Sequence, residues 1–138
     1  MDITIKGAKG FYVPADLKWY TIDAVKKFSR ALNINRKRID LHINFYNSSL
    51  VDSCFYGFCT PETTREFEID IALLGNWVMT LAHEMVHVKQ FAKGELSIDM
   101  DRWKRNRRVG KLKYTDQPWE REAFRMQHDL VKFLEKSG

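Results

Sequence analysis

Two hydrophobic periods run along this chain, and each predicts an element where it holds. Ile3, Ile5, Phe11 and Val13 give a short extended start, and Pro14-Ala-Asp16 opens a run in which Leu17, Ile22, Val25, Phe28 and Leu32 recur at helical spacing. The run predicts a packing helix from about residue 16 or 21 to Leu32. Leu41, Ile43 and Phe45 alternate with His42, Asn44 and Tyr46, the pattern of a strand with one buried face. After a turn at Asn47-Ser-Ser49, Val51 to Phe58 reads as a second strand. The loop Thr60-Pro-Glu-Thr-Thr64 precedes a third, Arg65 to Ile71, in which Phe67, Ile69 and Ile71 share a face. A long helix is predicted from about Ala72 to Lys93, stopped by Gly94, and a last one from Pro118 to about Lys136. The layout is α+β: a packing helix, a small sheet and two further helices.

The first of those two helices carries unusual polar residues. Wound at about 100° per residue, it puts Asn76, Thr80, His83, His87 and Gln90 in one narrow stripe, while Trp77, Val78, Leu81, Ala82, Met85, Val86 and Val88 cover most of the remainder. A helix that is apolar nearly all round is buried, so its polar stripe faces a cleft or an interior site. Within it His83-Glu84-Met85-Val86-His87 matches the zinc-peptidase pattern H-E-x-x-H, whose four-residue spacing aims both imidazoles at one point. One metal can bind both, with Glu84 at the edge of that face as general base. Two hydrogen-bonded core histidines are the plainer alternative.

Catalytic zinc keeps three protein ligands and one open position. No histidine follows within the next dozen residues, and His128 is the only later one, which directs the search to a carboxylate on the last helix. Pro118-Trp-Glu-Arg-Glu-Ala-Phe124 offers Glu120 and Glu122. Ala123, Phe124, Leu130, Val131 and Leu134 define the core-facing stripe; Glu120 falls within it, and Glu122 points away, above Met126 and Asp129. A carboxylate in an apolar face needs a partner, so Glu120 is preferred as the ligand beside His83 and His87. Either acid also suits the first turn of a helix, where the dipole favours negative charge.

Composition narrows the setting. With 138 residues, 44% hydrophobic and 30% charged, the chain is expected to form one metallopeptidase-like domain over 1–138, probing no membrane, since no stretch is long and apolar enough to span one. Met1 to Gly7 lacks the features of a secretory signal, so the expected location is cytoplasmic, or the host-cell cytoplasm if a phage encodes the chain. Cys54 and Cys59 are expected as reduced, small buried hydrophobes: they make only half a four-cysteine site, with no His at zinc-finger spacing. The net charge of +5 owes much to Arg102-Trp-Lys-Arg-Asn-Arg-Arg108. A solvated hairpin or loop is the plain reading of that run, and weak nucleic-acid contact helped by Trp103 the sharper one, although no known nucleic-acid motif frames it.

Leu81-Ala-His-Glu-Met-Val-His-Val-Lys-Gln90, followed by Trp103 and then Pro118-Trp-Glu-Arg-Glu-Ala123, resembles the small phage and bacterial SprT-like, gluzincin-type zinc metallopeptidases. These pair H-E-x-x-H with a later E-x-x-A, which Glu120 and Ala123 match. Gly57-Phe-Cys-Thr-Pro61 and Arg65 to Ile71 also resemble the segment before the active helix, so the likeness covers roughly residues 40 to 125. It implies a minimal zincin-like fold. SprT proteases proper differ in using a third His and often a cysteine zinc ribbon. Many gluzincins carry an Asp after the E-x-x-A alanine, where this chain has Phe124, which leaves the orientation of one ligand His unexplained.

The expected activity is peptide hydrolysis by a monomer acting on a peptide or protein substrate, with Zn2+ lowering the pKa of a water and Glu84 moving its proton to the leaving amine. Tyr114 is the candidate donor to the tetrahedral oxyanion, and His128, at the margin of the core stripe, reads as structural. Arg65 to Ile71 is expected to offer a sheet edge to an extended peptide. The rival readings are a catalytically inactive metal-binding regulator and a nucleic-acid-associated module using Arg102 to Arg108.

Overall fold

The alternating segments pair into a four-stranded sheet. In the computed structural model, which describes residues 1–47, 56–104, 107–108, 114 and 117–137, strands β1 (Asp2–Gly7), β2 (Asp40–Tyr46), β3 (Gly57–Pro61) and β4 (Glu66–Ala72) lie in the order β1-β2-β4-β3. β1, β2 and β4 run parallel, with Ile3 opposite Leu41 and Leu41 opposite Phe67, while β3 returns antiparallel with Cys59 opposite Ile69. Parallel neighbours need a crossover, and α1 (Ala15–Ala31) supplies it between β1 and β2. Then follow α2 (Trp77–Ala92), the short antiparallel pair β5 (Arg102–Trp103) and β6 (Arg107–Arg108), and α3 (Pro118–Ser137).

Alternation gives the sheet two unlike faces. Leu41, Ile43, Phe45, Phe67, Ile69 and Ile71 are wholly buried in one cluster with Val25 and Phe28 of α1, Leu81, Met85 and Val88 of α2, and Trp119 and Leu130 of α3. Each such side chain contributes about 1.5–3 kcal/mol by leaving water. The other face is polar, and its strands are tied by Asn44 Nδ2 donating to Asp70 Oδ1 (2.9 Å) and by His42 Nε2 beside Glu66 Oε2 (3.2 Å). The mixed α and β content agrees with the expected α+β class.

Several boundaries differ from the sequence reading. The extended start ends at Gly7, because Lys9 (φ 52°) and Gly10 (φ 80°) turn the chain and leave Phe11 and Val13 outside the strand. Most of the expected second strand, with Cys54 and most of the turn at 47–49, lies outside the described residues; the described strand runs on through Thr60 and Pro61, expected in a loop. The third strand is present but interior, flanked by β2 and β3, so it is not the sheet edge expected of it. That edge belongs to β3. The long helix starts at Trp77 rather than Ala72, since Ala72 still pairs with Tyr46 and donates its N–H to the Tyr56 carbonyl (2.9 Å). At its far end Gly94 (φ 71°) takes the left-handed conformation, and Glu95 N–H closes back on the Gln90 carbonyl (2.8 Å).

Candidate metal centre

Residues 81–91 of α2 are all buried, His83, His87 and Gln90 of the polar stripe included, while Thr80 is half-buried and Asn76 exposed at the helix start. Four-residue spacing brings the rings of His83 and His87 together edge to face, centroids 5.0 Å apart. α3 answers from its first turn. Glu120 places Oε1 2.9 Å from His83 Nε2, and its two oxygens lie 3.3 and 3.2 Å from His87 Nε2. Among the described residues, His83, His87 and Glu120 bring three ligand atoms within 4.8 Å of one another, a cluster that can hold a metal ion.

The donor set fits a tetrahedral ion. Bonds of about 2.0–2.1 Å at tetrahedral angles separate neighbouring ligand atoms by roughly 3.3 Å, close to the spacings from Glu120 to each ring. In both rings the second nitrogen faces an amide oxygen at 2.8 Å: Nδ1 of His83 meets Gln127 Oε1, and Nδ1 of His87 meets Gln90 Oε1. An amide oxygen accepts only, so each Nδ1 carries the hydrogen and each Nε2 turns to the centre. Gln127 thereby does the orienting that Phe124 cannot. Sequence reasoning missed this role, although Gln127 lies two turns beyond Glu120 on the same helix face.

Glu122 lies outside this cluster. It is buried like Glu120, contrary to the outward direction read from the wheel, because Lys89 Nζ (2.9 Å) and Gln90 Nε2 (3.0 Å) reach it from α2. Phe124, expected in the core, is 48% exposed and stands at the mouth with its ring 4.7 Å from that of His83. His128 is exposed rather than at the core margin and is not among the clustered residues. Trp103 is buried against Trp119, ring centroids 6.2 Å apart, and therefore offers no stacking platform beside the arginines.

Charge and burial oppose each other in this cluster. Burial alone would raise the Glu120 carboxyl, but hydrogen bonds from both histidines and their charges bring it down to about 2. For His87, burial works toward loss of the proton and is outweighed by the hydrogen bond to Glu120 and the charges of Glu84 and Glu120, so its pKa rises. Glu84 is raised chiefly by burial, with the histidines pulling it back and Glu120 adding to the rise. A carboxyl lifted in this way is a better proton acceptor than one in water.

Two adjoining cavities, about 340 and 250 Å³, share Gly57, Phe58, His83, Glu84 and Tyr114. The first continues past Tyr56, Met79 and Phe124, and the second past Cys59, Phe91 and Met100. Cys59 is a free thiol whose pKa burial pushes well up, reinforced by the charge of Glu84. Tyr114 borders both cavities, and its hydroxyl is raised by burial, then by the charge of Glu120 and a hydrogen bond with it. It therefore stays a donor at neutral pH. No known family model, curated protein or solved structure matches the chain.

Proposed function

We propose that this chain is a zinc-dependent peptidase in which His83, His87 and Glu120 hold the metal and Glu84 is the general base. The single observation that carries the reading is the meeting of both imidazole Nε2 atoms at one carboxylate from another helix, with a buried acid beside them in an open cleft. Zinc so bound would supply an acidified water and a Lewis acid for the scissile carbonyl. Glu84 takes the proton of the attacking water and delivers it to the leaving amine, a role its raised basicity suits. Tyr114 donates its hydroxyl hydrogen toward the developing oxyanion.

β3 supports a peptide as the substrate. With Tyr56 bonded to Ala72, alternation in an antiparallel ladder turns the backbone groups of Gly57 and Cys59 away from β4, along the cleft. An extended chain laid there adds a strand to the sheet. The walls beyond the site are mainly aromatic and methionine, so apolar side chains next to the scissile bond fit best. The likeness of residues 81–90 and 118–123 to SprT-like gluzincin-type enzymes points the same way. The test is Glu84→Gln: the variant should bind zinc as the wild type does and lose peptide hydrolysis by about 10²–10⁴-fold. Equal activity in both proteins, or none in the zinc-loaded wild type against a library of extended apolar peptides, would reject the reading.

A further inference from the structure

Behind His87 lies a second layer of polar contacts that the proposed chemistry does not use. Gln90 Nε2 donates to the Trp119 carbonyl (2.9 Å) and to Glu122 Oε1 (3.0 Å). The same Glu122 oxygen accepts from Lys89 Nζ (2.9 Å), which also reaches Glu95 (2.8 Å). Gln90 is wholly buried, and Lys89 and Glu122 nearly so. An amide has two chemically different ends, and nothing in its shape chooses between them. Here the choice is made by neighbours: a backbone carbonyl and a carboxylate oxygen both demand N–H, so the Gln90 carbonyl is turned to His87 Nδ1 at 2.8 Å. A reversed amide would face oxygen with oxygen on two sides.

We infer that Glu122, anchored by Lys89, is a positioning residue that fixes the Gln90 amide and through it aims His87 Nε2 at the metal centre. The inference rests on the proposed centre but makes a separate statement, since the chain of hydrogen bonds exists without an ion. It also gives Glu122 a function distinct from that of Glu120, two residues earlier on the same helix.

The experiment compares wild type with Glu122→Met, which fills similar space without an acceptor, and Glu122→Gln, which keeps one acceptor oxygen. In the metal-free proteins, nitrogen-15 NMR follows the His87 Nδ1–H, identified by its absence from His87→Asn; zinc affinity is measured by competition with a chromogenic chelator. The wild type should show a slowly exchanging Nδ1–H. Glu122→Met, in which the Trp119 carbonyl alone still holds the amide, should exchange it markedly faster and bind zinc about 10-fold or more weakly, and Glu122→Gln should retain most of both. A purely structural Glu122 would lower melting temperature while leaving resonance and affinity as they were, and that result overturns the inference. Should the methionine variant not fold, Glu122→Asp withdraws the oxygen by one methylene, and an unchanged Nδ1–H there overturns it equally. A wild type that binds no zinc refutes the metal reading, while the resonance still decides the hydrogen-bond chain.

Discussion

Gln127 sets its amide oxygen 2.8 Å from Nδ1 of His83, joining that histidine to the helix that also carries Glu120. Replacing it with Leu removes the acceptor while keeping the bulk. His83 can then rotate or protonate on the wrong nitrogen, and zinc affinity should fall about 10–100-fold. Chelator competition measures this, and an affinity within error of the wild type would mean that packing alone holds the ring.

Glu120 and Glu122 are both buried acids on one turn, yet only Glu120 faces the imidazoles. Glu120→Ala should leave the purified protein essentially free of zinc. Glu122→Ala should still copurify with metal at micromolar supply. Metal content by plasma emission separates them, and a reversed ranking would place the centre elsewhere.

Acid–base linkage gives the metal-free protein a signature. Glu120 is lowered from 4.5 to about 2, so its contribution to stability is fully present above 4.5 and is lost as pH falls toward 2. His87 is raised from 6.5, so its contribution is fully present below 6.5 and disappears as pH rises through the higher value. The stability difference between wild type and Glu120→Gln should therefore peak between 4.5 and 6.5 and shrink on both sides. Urea titrations across pH test this. A difference flat with pH would show that the two groups do not act as a pair.

Gly57 fixes how closely β3 approaches α2. A Cβ there would meet Thr80 Cγ2 at 2.6 Å and the Asp70 carbonyl oxygen at 3.0 Å. Gly57→Ala should cost about 1–3 kcal/mol through overpacking and widen the cleft beside Glu84. Adding Thr80→Ser, which deletes the clashing methyl, should recover much of the loss. Thermal unfolding of the single and double variants reads the coupling.

The elements legible in the sequence were those with a clean period: β2, β4, the body of α1, and α2 with its polar stripe. His83, His87 and Glu120 met as spacing and wheel position implied, because helix geometry is local and rigid. What escaped was set by neighbours in space. Nothing in Arg65 to Ile71 tells an interior strand from an edge one, since that depends on where β3 inserts. Glu122 seemed outward because a wheel drawn for one helix cannot know that Lys89 approaches from another. Phe124 counted as core for the same reason, although it stands at the cleft mouth.

The carboxylate of Glu120 bridges both rings. Under the proposed function, loading is then an exchange at His87, whose raised pKa keeps a hydrogen on the ring that leaves as the cation enters. The heat of uptake measured by calorimetry should accordingly track the ionisation enthalpy of the buffer.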